Sequence, residues 1–223
     1  MLFDVRRIHV RSLAEFGREY LMIVVGILTA LGLEHVVRHN QELHRAADSR
    51  ARIVEELRQN LVEVRHAGEE NARRQERLQR IQAAAKKAIQ DHASPAEAAR
   101  RISAITSGGL MLGFEQPSLR HEAWDVAVAD QSLVPVDPQR LGRYSAAYAA
   151  QRDFTQATGQ GGLWLMIAPR TMDVLTDLDL GRVEPVELLK VANLMNAAMN
   201  SVRNDLKELQ EELEKDLRDE SPP

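Results

Sequence analysis

The chain has 223 residues with no cysteine, 29 Lys and Arg against 33 Asp and Glu, and a net charge of −4. This near balance, with no Lys/Arg run carrying interleaved aromatics, argues against a nucleic-acid partner, and the lack of cysteine removes disulfide staples and thiol chemistry. Aromatics are only 4%, Ala, Leu, Glu, Arg and Gln are abundant, and no segment alternates β-branched with polar residues, so the expected class is all-α.

Residues 1–19 place Phe3, Ile8, Val10, Leu13 and Phe16 among Arg6, Arg7, Arg11 and Arg18, an amphipathic segment on the cytoplasmic side or a helical start to the apolar run beyond it. That run, Tyr20 to Leu33, carries no charge. As a helix it covers roughly 21 Å, short of a ~30 Å hydrocarbon slab. A signal peptide would need small residues at a cleavage site, which Leu31 to His35 supplies poorly, and a soluble core helix would carry a polar stripe, which Leu21 to Ala30 lacks. Extension over Glu34 and His35 to Val37, with Tyr20, Arg18 and Arg38 at the borders, gives a transmembrane helix over 20–37. Within it Gly26, Thr29 and Ala30 form a small-residue notch suited to close approach of a second span. Arg6, Arg7, Arg11 and Arg18 before the span balance Arg38, Arg45, Arg50 and Arg52 after it. The short N-terminal segment therefore sets the expected orientation, with the C-terminal part outside the cytoplasm.

The remainder, 38–219, is expected to be one helical-bundle domain ahead of a disordered tail at 220–223. From Glu34 to about Asp91 there is no proline, so the span should continue into a long stalk helix. Ile53, Leu57, Leu61 and Val64, then Leu78, Ile81, Ala85 and Ala88, mark its apolar stripe. The polar interval from Arg65 to Arg77, with Gly68 and Ala72 on the stripe, must be exposed or be crossed closely by another helix. Ser94-Pro95 caps a short helix to Ile105, and Ser107-Gly108-Gly109 ends it before an apolar loop, Leu110 to Phe114. Pro117-Ser118 should start a helix from Leu119 to about Gln131, capped by Ser118, and Asp137-Pro138 another to about Thr158. After the Gly159 to Gly162 linker, Leu163 to Ala168 forms a half-helix that Pro169 stops or kinks.

The last helix, Pro185 to about Arg218, has the clearest period. Leu188, Ala192, Met195, Met199, Val202, Leu206, Leu209 and Leu213 alternate steps of four and three, the a/d seam of a coiled coil. Its partner is either the stalk stripe running antiparallel, which lets one domain close its own core, or a second copy of the same helix.

Arg18-Glu19-Tyr20 leading into Val24-Val25-Gly26-Ile27-Leu28-Thr29-Ala30-Leu31 and a long charged helix resembles the start of an uncharacterised family of bacterial membrane-anchored proteins of unknown function. Ser118-Leu119-Arg120-His121-Glu122-Ala123-Trp124-Asp125 and the helix from Arg143-Tyr144 to Tyr148-Ala149 are similar to that family's helical domain. The resemblance covers about a third of the chain and implies a single N-terminal span with a helical extracytoplasmic domain, but supplies no catalytic residues.

The chemistry-bearing patterns are weak. His121 and Asp125, and separately His35 and His39, have the i, i+4 spacing of two metal ligands but lack an identified third, so they are expected to be solvated faces. Neither glycine pair opens a phosphate loop, Asp173, Asp177 and Asp179 lack the glycine-centred loop of a calcium site, and no nucleophile motif is present. No enzyme, metal or cofactor is expected. Trp124, Tyr144, Tyr148, Phe154 and Trp164 form core or line a small pocket. The expected function is that of a membrane-anchored scaffold, assembly factor or accessory subunit whose partners are the lipid bilayer and a protein or a second copy, with a sensory ligand-binding module as the alternative.

Overall fold

The computed structural model describes residues 13–106, 113–159, 162–218 and 220, and the side chains among them except at 13–15, 159 and 162–167. These residues form six helices and no strand: α1 Leu13–Gln90, α2 Pro95–Ile105, α3 Glu122–Ala129, α4 Pro138–Gly159, α5 Gly162–Asp179 and α6 Pro185–Arg218. The chain divides into two units at Asp48 and Ser49.

The first unit holds the apolar span. From Phe16 to Arg45 every side chain is exposed except Val24, which is half-buried, so no described residue covers Leu21, Ile23, Ile27, Leu28 or Leu31. Thr29 Oγ1 donates to the Val25 carbonyl at 2.7 Å, which satisfies the hydroxyl inside its own helix, and nothing lies within 4 Å of a Cβ placed on Gly26. Of the described helices, only α1 is long and apolar enough to cross a membrane.

The second unit is built on an antiparallel pair, α6 on the part of α1 from Ser49 onward. Gln82 reaches Ala192 and Asn193, Gln75 reaches Asn196, Asn200 and Arg203, and Arg65 reaches Glu214, so numbers fall along one helix as they rise along the other. All eight residues of the expected α6 seam are buried, and each fully buried leucine contributes roughly 2 kcal/mol of transfer free energy. The intramolecular partner is therefore the one observed, and the helix bounds agree with the sequence reading at both ends.

Two apolar clusters lie along the pair. In one, Leu78, Ile81, Ala85 and Ala88 of α1 and Leu188 to Ala198 of α6 close over α2 and α5. In the other, Ile53 to Ala67 of α1 and Val202 to Leu213 of α6 close over α3, α4 and the segment before α3. Between them lies a polar girdle in which the Gln75 amide donates to Asn200 at 2.6 Å and accepts from Arg203 at 2.5 Å. The short helices begin where their caps dictate: Ser94 accepts from the Glu97 N–H, and Asp137 from that of Arg140. Gly181, at φ 67°, ends α5 in the left-handed conformation, with the Arg182 N–H bonded to Asp177.

Three expectations need correction. Residues 114–121 are not the start of a helix: α3 begins only at Glu122, and its N-cap is His121 rather than Ser118. Pro169 does not stop α5, which runs through it as one helix. Glu220, expected in a disordered tail, instead has a side chain only 2% exposed that lies among three arginines, Arg50 at 2.8 Å, Arg140 at 2.8 Å and Arg143 at 3.9 Å. Tyr144 lies against this cluster. Burial, then the negative charge of Glu220, pushes its hydroxyl up to about 12. The Gly108-Gly109 break, the loop through Leu112 and Gly161 fall outside the described residues.

Candidate functional site

The extended segment before α3, residues 114–121, is held by side chains of α1. Asn60, fully buried, accepts from the Arg120 N–H at 2.9 Å and donates to the Arg120 carbonyl at 2.7 Å. Asn71, also fully buried, does the same at Glu115, at 2.7 and 2.9 Å. Each amide thus imitates a strand neighbour for one residue. The spacing fits: eleven residues of helix rise about 16.5 Å and return to the same face, and five residues of extended chain cover about 16.5 Å. Arg74 adds a third tie, with its guanidinium 2.5 Å from Glu115 and 3.2 Å from Glu70. No described helix crosses the polar interval of α1 closely over its small residues, since nothing lies within 4 Å of a Cβ placed on Gly68 and Ala72 is exposed; most of the interval is exposed, and the segment before α3 and α6 meet it at Asn71 and Gln75.

Where this segment meets α3 and α4, Glu56 joins them. Its carboxylate accepts from the Ala123 N–H at 2.9 Å and from the Tyr148 hydroxyl at 2.6 Å. Burial, then the hydrogen bond to Glu56, raises the Tyr148 hydroxyl far above the usual tyrosine range, so it stays a donor. Trp124 stacks on Tyr148 with ring centroids 5.3 Å apart.

Beside this junction is a cleft of about 590 Å³ whose lining includes Leu119, Arg120, His121, Tyr148, Gln151 and Arg152. Among its lining side chains Gln151 is 4% exposed. The Gln151 Oε1 accepts from Asn60 Nδ2 at 2.7 Å. That choice of amide end is forced, because Asn60 must turn its oxygen to the Arg120 N–H and therefore offers only N–H to Gln151. The Gln151 Nε2 is consequently left as a buried donor without a protein acceptor. Arg120 donates to the neutral Gln59 at 2.8 Å, and no ion pair engages Arg120 or Arg152 among the described residues.

The five aromatics do not share one pocket. Tyr148 lines this cleft and Trp124 stacks behind it, whereas Phe154 lines a second groove of about 550 Å³ between α4 and α6. Tyr144 faces the Glu220 cluster, and the Trp164 side chain lies outside the described residues. His121 Nδ1 and Asp125 Oδ2 meet each other at 2.6 Å on an exposed face, and His35 and His39 stack at 6.5 Å. Among the described residues no group of three or more His, Asp or Glu side chains is placed to hold a metal ion.

Sequence reasoning missed Glu56, Asn60, Arg120, Gln151 and Arg152. A signal for Asn60 existed, and for the Asn71 bracket too: polar residues fall at stripe positions, Asn60 between Leu57 and Val64, and Asn71 four residues after Ala67. Against known proteins, the chain matches no family model, no curated protein and no solved structure.

Proposed function

We propose that the chain is a non-enzymatic, single-pass protein of a bacterial inner membrane whose helical bundle works in the periplasm through interaction, as a scaffold, assembly factor or accessory subunit. The observation that carries this reading is the exposed apolar run from Leu21 to Leu33, whose large side chains find no cover among the described residues. Such a surface is costly in water and stable in lipid. Its partners would be the bilayer and either a second protein or another copy, for which Gly26, Thr29 and Ala30 offer a close-packing notch. The family of bacterial membrane-anchored helical proteins that the chain resembles has the same layout. A sensory ligand-binding module is the second reading, favoured by the cleft at Gln151.

The test is protease accessibility of a C-terminal epitope in intact and permeabilised cells, followed by crosslinking. Protection by the cytoplasmic membrane but not by the outer membrane would refute periplasmic placement. A protein recovered without detergent in the soluble fraction would refute the anchor itself.

A further inference from the structure

We infer that the cleft between the extended segment and α4 binds a small organic anion, with an oxyanion head held by Arg120, Arg152 and the Gln151 amide and a short apolar body against Leu119 and Tyr148. The inference does not depend on the membrane reading, since every residue involved lies in the second unit.

Three observations converge. A cleft of about 590 Å³ is large enough for a metabolite-sized molecule and combines an apolar wall with a few directed polar groups. Inside it, Gln151 is more than nine-tenths buried and carries an amide donor without a protein acceptor. Buried donors are rarely left unmatched, and this one is fixed by the chain Arg120 to Asn60 to Gln151 rather than by an arbitrary choice of amide end. Both guanidinium groups are free of ion pairs among the described residues, although the chain pairs many of its other arginines. The nearby carboxylates each accept hydrogen bonds within the protein, Glu56 from Tyr148 and Ala123, Glu122 from the His121 N–H, and Asp125 is paired with His121. All three groups of the site are therefore donors, two carry positive charge, and the missing partner is an acceptor with negative charge. Planar guanidinium groups suit carboxylate and phosphate alike.

The test uses the full chain in nonionic detergent with three probes: benzoate, phenyl phosphate and the neutral benzamide, measured by calorimetry and by thermal shift. Saturable binding of benzoate or phenyl phosphate, with benzamide much weaker, is expected, and the stronger of the two anions identifies the head group. Arg152→Gln, an exposed change that leaves the fold intact, should weaken the anion by about tenfold, the usual worth of one charge-assisted hydrogen bond. Gln151→Leu should weaken it as well, and if that variant does not fold the Arg152→Gln comparison alone decides. The inference is overturned if neither anion binds at millimolar concentration, which would mean that water alone occupies the cleft. Equal binding of benzamide, or binding unchanged in Arg152→Gln, would also overturn it.

Discussion

Asn60→Ala removes the side chain that fixes the extended segment to α1. Three hydrogen bonds go with it, from the Arg120 N–H, to the Arg120 carbonyl and to Gln151 Oε1. At about 1 kcal/mol for each group deprived of its partner, the loss is about 3 kcal/mol. For a domain of this size each kcal/mol moves the melting temperature by about 2–4 °C, so a fall of about 6–12 °C is expected. Asn60→Asp provides a sharper comparison. It preserves volume and the acceptor for the Arg120 N–H, but sets a carboxylate oxygen against the Arg120 carbonyl and Gln151 Oε1, and should cost at least as much. Far-UV circular dichroism melts of the full chain in detergent measure both against Val62→Ala, a residue 62% exposed on the same helix. If Asn60→Ala melts within roughly 1 °C of that control, the bracket contributes nothing and the segment is held by its apolar contacts alone.

Leu206→Asp sets a charge at a site 3% exposed and should unfold the bundle or lower its melting point severely; a melt like that of the parent chain would show that the α6 seam is not structural. Val24→Arg with Leu28→Arg should release the protein from membranes, and continued membrane association after carbonate extraction would move the anchor to another segment. Acid should weaken the contact between α5 and α6. Hydrogen bonds from Arg170 and then Lys190 hold Glu187 at about 2 rather than 4.5. Because the folded value is depressed, its contribution is complete above 4.5 and disappears as pH falls toward about 2. The groups are exposed, so the effect is small and weakened by salt, and Glu187→Gln should flatten the melting profile in that window; an identical profile in the variant would refute it. At high pH the sign reverses for Tyr144, whose raised value means stability is lost between pH 10 and about 12, visible as alkaline unfolding that Tyr144→Phe should delay.

Legibility in the sequence followed the range of the interactions that set each element. The α6 seam and its bounds are local, because steps of four and three from Leu188 to Leu213 specify one buried face whatever covers it. The caps at Ser94 and Asp137 are local too. Residues 114–121 are not, because their conformation is imposed by Asn60 and Asn71, forty-four to sixty residues earlier in the chain. Pro117-Ser118 is a sound helix start in isolation, and tertiary hydrogen bonds overrode it. Pro169 did not stop α5, because an internal proline removes one rung of the backbone ladder without ending the turns on either side. The cleft was invisible because Gln151 and Arg152 resemble any polar stretch of helix surface, and only the Asn60 amide, once placed, decides which end of Gln151 is left over.

The ion pair joining Arg50 to Glu220 spans 170 residues, nearly the full reach of the second unit. Synthesis proceeds from the N-terminus, so the stripe on α1 emerges first and its cover, α6, last. Glu220 is made 170 residues after Arg50, so their contact forms only when the second unit has been synthesised through that residue. Until then Ile53, Leu57 and Val64 lack the helix that buries them, and a chaperone that engages this nascent chain would find its most apolar target there.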